Sequence, residues 1–481
     1  MPRFPDPRSL PRVRPERASS SSSSWAPLIG FAVVLLNGLT GCAGHEARVR
    51  DALDALDRGE PEAAVVALNE ALDVETKDEA PPLEGDNALL LLDRATVLQS
   101  VDDYTASQRD FERADKGIEL LDFSQSAVDD LGRYLFSDDA GPYRAPAFEK
   151  LLINTFNMMN YLARDDLQGA RVEARRLAVM QKFLADQGEE TRLLGLGSYL
   201  AGYTYERSGR VNEALRAYEE ALTFDDHPSL QTPLLRLTGG RPGEEGRRPR
   251  IDALITAAGP SSSSSAMSPD GTAEVLVVVG YGRVPAREPV RLPIGLALTA
   301  VSGIISPYDR ARANELAAKG LVTWVNFPRL GRAQGGYSVP EVFVDGRPYP
   351  LEAALDIEAE VRRAWEEREP TVILSAITRT ITRIVAGEAV AAGTNAAAGR
   401  NNNGGGILGL IAGLATSAAL TAADTPDTRS WSTLPARVAI SRLYLPPGPT
   451  TLVVRARGMT KTYRLALTPN RARAVIATSL R

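Results

Sequence analysis

The apolar residues of this chain change their repeat distance once, and that change limits the folds open to it. From about residue 46 to 236 the sequence is rich in Ala, Leu, Glu, Asp and Arg, with apolar positions at helical spacing. Gly and Pro collect between these segments, which describes helices joined by short turns. After residue 271 the pattern shifts to runs of β-branched residues such as 274–279, which fits a buried strand. Residues 237–270, with RLTGGRPGEEGRRPR, a modest apolar patch and GPSSSSSAMSPDG, read as a Gly-, Pro- and Ser-rich connector. Arg247, Arg248 and Arg250 within it are expected to be solvated rather than to bind phosphate. The expected fold is multidomain: an all-α repeat domain over 42–236, a linker over 237–270 and an α+β domain over 271–481.

The clearest helical segment is 198–222, SYLAGYTYERSGRVNEALRAYEEAL. Ala201, Gly202 and Tyr205 line one helix, Ala214, Tyr218 and Ala221 the next, and Ser208-Gly209 supplies the turn. Small residues let the two helices approach and aromatic rings fill the groove, a spacing that resembles the tetratricopeptide helix pair. Its usual closing proline is matched only approximately, by Pro228. Weaker copies share the frame: Ala52, Ala55, Gly59, Ala64, Leu68 and Ala71; then Ala95, Leu98, Ser107, Phe111 and Ala114; then Tyr161, Ala170 and Ala174. Roughly three such units reach the minimum for a stacked solenoid, so the first domain is expected to be tetratricopeptide-like. All these residues are expected core, and the concave face of the array is the expected place for a partner.

In the second half, 292–299 and 321–327 are candidate strands, and Asp345-Gly346 is a candidate hairpin turn. Residues 351–367 read as a helix carrying Leu355, Val361 and Trp365, and Pro370 is expected to restart a helix with Ile373, Ile377, Ile381 and Ile384. Four closing strands are expected at 438–445, 451–456, 462–467 and 473–478, with a turn at Arg457-Gly458. The apolar segment 407–423, with Gly405, Gly409 and Gly413 every fourth position, reads as a helix buried in the domain or against a partner, membrane insertion being the alternative.

The N-terminus reads as a targeting segment. Arg3, Arg8, Arg12, Arg14 and Arg17 precede a serine run and an apolar stretch over 25–36, too short to span a bilayer. The stretch ends in Leu39-Thr40-Gly41-Cys42, which resembles the lipobox of bacterial lipoprotein precursors. That resemblance implies a signal peptide over 1–41, a lipid (diacylglyceryl, then palmitate-type acyl) on Cys42, and membrane attachment through it. Ala43, where aspartate typically signals inner-membrane retention, favours the periplasmic face of the outer membrane. Cys42 is the only cysteine, so no internal disulfide supports the fold. The leader carries a net +3 of the full chain's −5, which leaves the mature chain near −8 and gives it, taken as a whole, no electrostatic reason to bind nucleic acid or anionic lipid surfaces.

Three stretches carry a wider resemblance: GRVPAREPVRLPI (282–294), DTRSWSTLPARVAISRLYLPPG (427–448) and FEKLLINTFNMMNYLARDDLQGARVEARR (148–176). Together they resemble a family of uncharacterised bacterial lipoproteins with a tetratricopeptide-like N-terminal half, most specifically at Arg429, Ser430, Trp431, Thr433, Leu434 and Pro435. Arg287 stands where lysine is expected in relatives, which keeps the charge and changes the geometry. The resemblance implies class and location, not mechanism. From their own chemistry, Trp431 and Arg429 either lock a buried corner of the β domain or build a binding pocket, for instance for an envelope glycan. Arg379 and Arg383, four apart on one helix face, could take a phosphate or carboxylate or pair with local acids.

Catalysis finds little footing. The two histidines, His45 and His227, belong to no HExxH, and CxxC, GxSxG and GxxxxGKS are absent from the sequence. A non-enzymatic scaffold without cofactor or metal is expected, holding an envelope protein through its helical repeats; the alternative is a component of an export or surface-assembly machine.

Overall fold

The computed structural model describes residues 44–481 apart from 85, 124–142, 144, 187–192, 242–247, 259–270, 319–323, 333–337 and 398–424. The expected signal peptide, Cys42 and the apolar segment 407–423 lie outside the described residues. Ala43–Arg481 forms one compact unit.

Its first half contains four helix hairpins among the described residues. They are α1 (His45–Arg58) with α2 (Pro61–Ala71), α3 (Asn87–Ser100) with α4 (Tyr104–Phe123), α5 (Ala147–Ala163) with α6 (Leu167–Asp186), and α7 (Leu194–Arg207) with α8 (Val211–Phe224). All four turns are built alike. Gly59, Asp102, Asp165 and Gly209 each take a positive φ. The next amide in each case bonds back five residues: Glu60 to the Ala55 carbonyl at 2.9 Å, Asp103 to Leu98 at 3.0 Å, Asp166 to Tyr161 at 2.9 Å and Arg210 to Tyr205 at 2.9 Å. Relative to the turn, Ala52, Ala95 and Gly202 occupy one position and Ala64, Ser107, Ala170 and Ala214 another. Small side chains are required at such crossings, because a Cβ on Gly202 would lie 2.4 Å from the Tyr218 ring.

The helices differ in what they cover. α3, NALLLLDRATVLQS, is buried from Ala88 to Ser100, α5 from Leu151 to Leu162 and α7 from Leu194 to Thr204. A helix apolar on all sides needs neighbours on all sides. The second helices supply one side, and the chain's own C-terminal sheet supplies the other, with β10 (Ala472–Ser479) on α3 and α5.

That sheet has the order β10-β1-β7-β6, with β1 at Ala273–Tyr281, β6 at Glu352–Asp356 and β7 at Arg437–Leu445. β6 packs on α7. β1 pairs parallel with β10 and antiparallel with β7, and every one of its residues is buried, as its continuous apolar run requires. Leu276, Val278, Val438, Ile440 and Ile476 face the helices. Val275, Val277, Ala439, Leu443 and Val475 alternate to the opposite face. They meet Val342, Val344, Leu452 and Val454 of a second sheet, β5-β4-β8-β9 (Arg347–Tyr349, Glu341–Val344, Gly448–Ala456, Met459–Leu467). The layers are therefore helices, sheet and sheet, and the first core does not divide at 237–270.

A third core belongs to a smaller module. The ribbon β2 (Arg287–Pro293) and β3 (Trp324–Leu330) packs with α11 (Ile294–Ala300), α12 (Pro307–Ala318) and the later half of α13 (Ile357–Ala397). Between α8 and β1 lie the short helices α9 (Gln231–Thr238) and α10 (Pro249–Ala258).

Several expectations need correction. Residues 294–299 are helical, because Ile294, Ala297, Leu298 and Val301 recur at helical spacing and all four are buried. Residues 352–356 are β6, and the helix begins at Ile357, its first turn closed by the Ala359 amide bonding Asp356 Oδ1 at 3.0 Å. Pro370 does not start a new helix: α13 runs through it, held before it by Trp365 and after it by Ile373, Ile377 and Ile381. Within the connector, α10 buries Ile251 and Ile255, and Glu219 accepts its Arg250 and Ile251 amides at 2.9 Å. The turns at Asp345-Gly346 and Arg457-Gly458 and the four closing strands stand where expected.

Candidate functional site

The motif around Trp431 enters the helical array where α3, α4 and α5 meet. The indole is 1% exposed and meets Phe111 and Phe156 edge-on, with centroids 5.7 and 6.0 Å away. Its Nε1 donates to Thr96 Oγ1 at 2.9 Å, so its one polar atom is satisfied. Two residues on, the Thr433 amide and hydroxyl both donate to Asp93 Oδ1, at 2.9 and 3.0 Å. The other Asp93 oxygen lies 3.2 Å from His45 Nε2, both groups fully enclosed. The Trp431 amide donates to Glu149 Oε1 at 3.4 Å, and Tyr143 donates its hydroxyl to the other oxygen of Glu149. Burial pushes the Glu149 carboxyl above the usual carboxylate range, against the pull of Tyr143 and Arg287.

Arg429 anchors the same turn. Its Nε and Nη2 hold Asp427 at 2.7 and 3.0 Å, and its Nη1 reaches Asp86 at 3.1 Å. Burial opposes ionisation of Asp427, but Arg429 and Arg287 outweigh it and keep the carboxyl below its ordinary value. Arg287 donates to the Arg429 carbonyl at 2.9 Å and lies 5.3 Å over the Trp365 ring. Arg429 and Trp431 are thus brought together as a filled corner, the indole 1% and Arg429 2% exposed.

Arg379 is buried on α13, about 21 Å along that helix from Trp365 by helical rise. The side chain of Arg383 lies outside the described residues. With Arg379 only 2% exposed, that arginine does not present an open anion-binding face.

A second charged cluster joins the fourth hairpin to the sheet. Arg442 on β7 donates to Glu274 at 2.6 Å, Glu206 at 2.7 Å and the Tyr218 hydroxyl at 3.1 Å, and Arg236 also bonds Glu206. Neither this cluster nor Asp93 and Glu149 was anticipated from sequence. A signal existed for Asp93, which with Arg94 interrupts a run of four leucines in a helix otherwise apolar on all sides. Such charges persist in a core only when paired, and Arg94 indeed bonds Asp110 and Asn69 at 2.6 and 2.8 Å.

Open surface lies elsewhere. A cleft of about 400 Å³ runs between the first two hairpin turns, Gly59 and Asp102, and the β8-β9 turn at Gly458. Two of its charges pair across it, Lys461 with Asp102 at 2.6 Å, and Arg58 on its rim pairs with Glu60 at 2.9 Å. A groove of about 270 Å³ between α6, α7 and α8 is lined by Leu177, Gln181, Tyr205 and Arg216. On the side of α6 opposite that groove, Val172, Val179 and Phe183 are exposed, spaced to share one helix face. Among the described residues no three metal-ligand-type side chains gather, and no helix is long and apolar enough to cross a membrane. No protein-family model matches the chain, and no curated protein matches it in sequence.

Proposed function

We propose that this chain is a lipid-tethered scaffold of the bacterial envelope, attached through Cys42 to the periplasmic face of the outer membrane and acting without catalysis. The observation that carries the reading is Leu39-Thr40-Gly41-Cys42 at the end of an apolar leader, directly followed by a folded unit whose first helix starts at His45. The four like-built hairpins, with small residues at matching positions, support a tetratricopeptide-like array. Its inner helices are covered by the chain's own sheet, so the partner is placed on the outer layer instead. The exposed face of α6 with Val172, Val179 and Phe183 suits an apolar segment of an envelope protein.

A photo-activated cross-linker at position 183 in living cells is expected to capture one defined envelope protein. Val172→Ser with Val179→Ser, which leaves the buried side of α6 intact, should abolish that capture and leave the melting temperature unchanged. Equal capture by the double variant would contradict the assignment of this face.

A further inference from the structure

We propose that the small module formed by β2, β3, α11, α12 and the later half of α13 rests on an anionic phospholipid surface as a second membrane contact. This inference rests on the tethered reading for its geometry, though not for its test.

Exposed apolar side chains concentrate on this module. Of eleven large hydrophobic residues exposed among the described residues, Leu296, Ile304, Tyr308, Trp324 and Val385 lie on its elements, with Tyr308 77% and Trp324 51% exposed. Ile304 lies in the loop between α11 and α12 and Tyr308 in the first turn of α12, and Trp324 opens β3 opposite Pro293, one helical turn before Leu296. Tyrosine and tryptophan, each an apolar ring with one polar atom, suit the boundary between headgroups and acyl chains.

Charge points to the same occupant. In a chain of net −5, residues 287–332 hold seven Lys and Arg against three Asp and Glu. Two of these arginines bond neutral acceptors, Arg291 to Asn326 Oδ1 at 3.0 Å and Arg310 to the Ser302 carbonyl at 2.6 Å, so these bonds leave their charge uncancelled. Basic side chains beside exposed aromatic ones fit an anionic leaflet.

Position completes the case. A Cβ on Gly44 would lie 3.7 Å from Thr428 Oγ1, and the neighbouring Arg429 carbonyl receives Arg287, the first residue of β2. Cys42 is two residues before Gly44, a reach of about 7 Å. The module is therefore rooted at the corner from which the chain leaves for its lipid, and its Trp324 end lies one strand away, about 20 Å. A tether this short keeps the folded unit against the bilayer.

The test uses residues 43–481, the compact unit, without lipid. Of its three tryptophans, Trp365 and Trp431 are enclosed and Trp324 is exposed, so quenching by lipids brominated on their acyl chains reads Trp324. Quenching is expected with vesicles containing phosphatidylglycerol and not with phosphatidylcholine alone, and Trp324→Phe should remove it. Arg291→Glu with Arg310→Glu should weaken vesicle sedimentation about tenfold or more. Tyr308→Ser with Trp324→Ser should abolish it without changing the melting temperature. Absence of quenching, or sedimentation unchanged in the aromatic double variant, would overturn the proposal, as would binding that emerges only when 401–423 is deleted, which would make that segment the occupant. Acylation of Cys42 is scored separately, so loss of the lipid and loss of this surface give different results.

Discussion

Trp431→Ala is expected to destabilise the protein by about 3–5 kcal/mol, among the largest effects open to a single substitution here. The indole fills the space between Phe111 and Phe156 and donates to Thr96, so truncation leaves a cavity and removes the donor that the Thr96 hydroxyl accepts, while that hydroxyl keeps its bond to the Leu92 carbonyl. Because the residue joins the C-terminal part to three helices of the array, urea unfolding should shift by both helical and near-ultraviolet signals together. Trp431→Phe keeps most of the ring and loses the Nε1 bond, and should cost only about 1–2 kcal/mol. A binding pocket would behave differently, with little change in stability. An alanine variant within about 1 kcal/mol of the parent would contradict the filled-corner account.

Arg442→Ala should cost a similar amount, about 3–5 kcal/mol, for a different reason. It removes the buried guanidinium that holds Glu206 and Glu274 at 2.7 and 2.6 Å in a region sealed by Tyr203 and Tyr218, and leaves them to the partly exposed Arg236. Burial alone would raise the Glu206 pKa, but Arg442 and Arg236 hold it below the ordinary value. A depressed carboxylate contributes stability above its unfolded pKa and loses it as pH falls through the folded one. The parent should therefore weaken in acid. Removing Arg442 takes away the larger of the two charges that oppose the burial of Glu206, so that carboxyl moves toward its protonated form, and the deficit of the variant should shrink as pH drops from 7 to 5. Adding Glu206→Gln and Glu274→Gln to Arg442→Met should recover most of the loss. A deficit independent of pH would mean that lost packing, not charge, dominates at this site.

Local pattern was the most legible part of the fold. The run at 274–279 fitted a buried strand and is one, covered on both faces, and Gly458 and Gly346 mark turns that need positive φ. The helix pair around Gly209 was readable because Gly202 and Tyr218 must meet, and Asp102 and Asp165 replace glycine in the equivalent turns. What escaped was whatever depends on distant segments. The span 294–299 alternates and repeats helically at once, and only packing against α13 decides between the two. That β10 would pair parallel with β1 across nearly 200 residues has no local signal. The corner was half legible: Trp431 and Arg429 stood out by type, whereas Asp93, Glu149 and His45 gained their roles only when the chain brought them together. The same assembly explains why the inner face of the array, the expected docking surface, is occupied by the chain's own sheet.

The account depends most on Cys42, and mass spectrometry of the mature N-terminal peptide tests it directly. Protein purified from its native membrane should begin at Cys42 and carry a diacylglyceryl group on the sulfur. Cells fed radioactive palmitate should label the parent and not Cys42→Ser, whose hydroxyl is far less readily ionised than the thiol. The folded unit should be unchanged in the variant, because the compact unit begins at Ala43. A mature chain that starts elsewhere, carries no acyl group and fractionates as a free periplasmic protein would contradict the tethered scaffold.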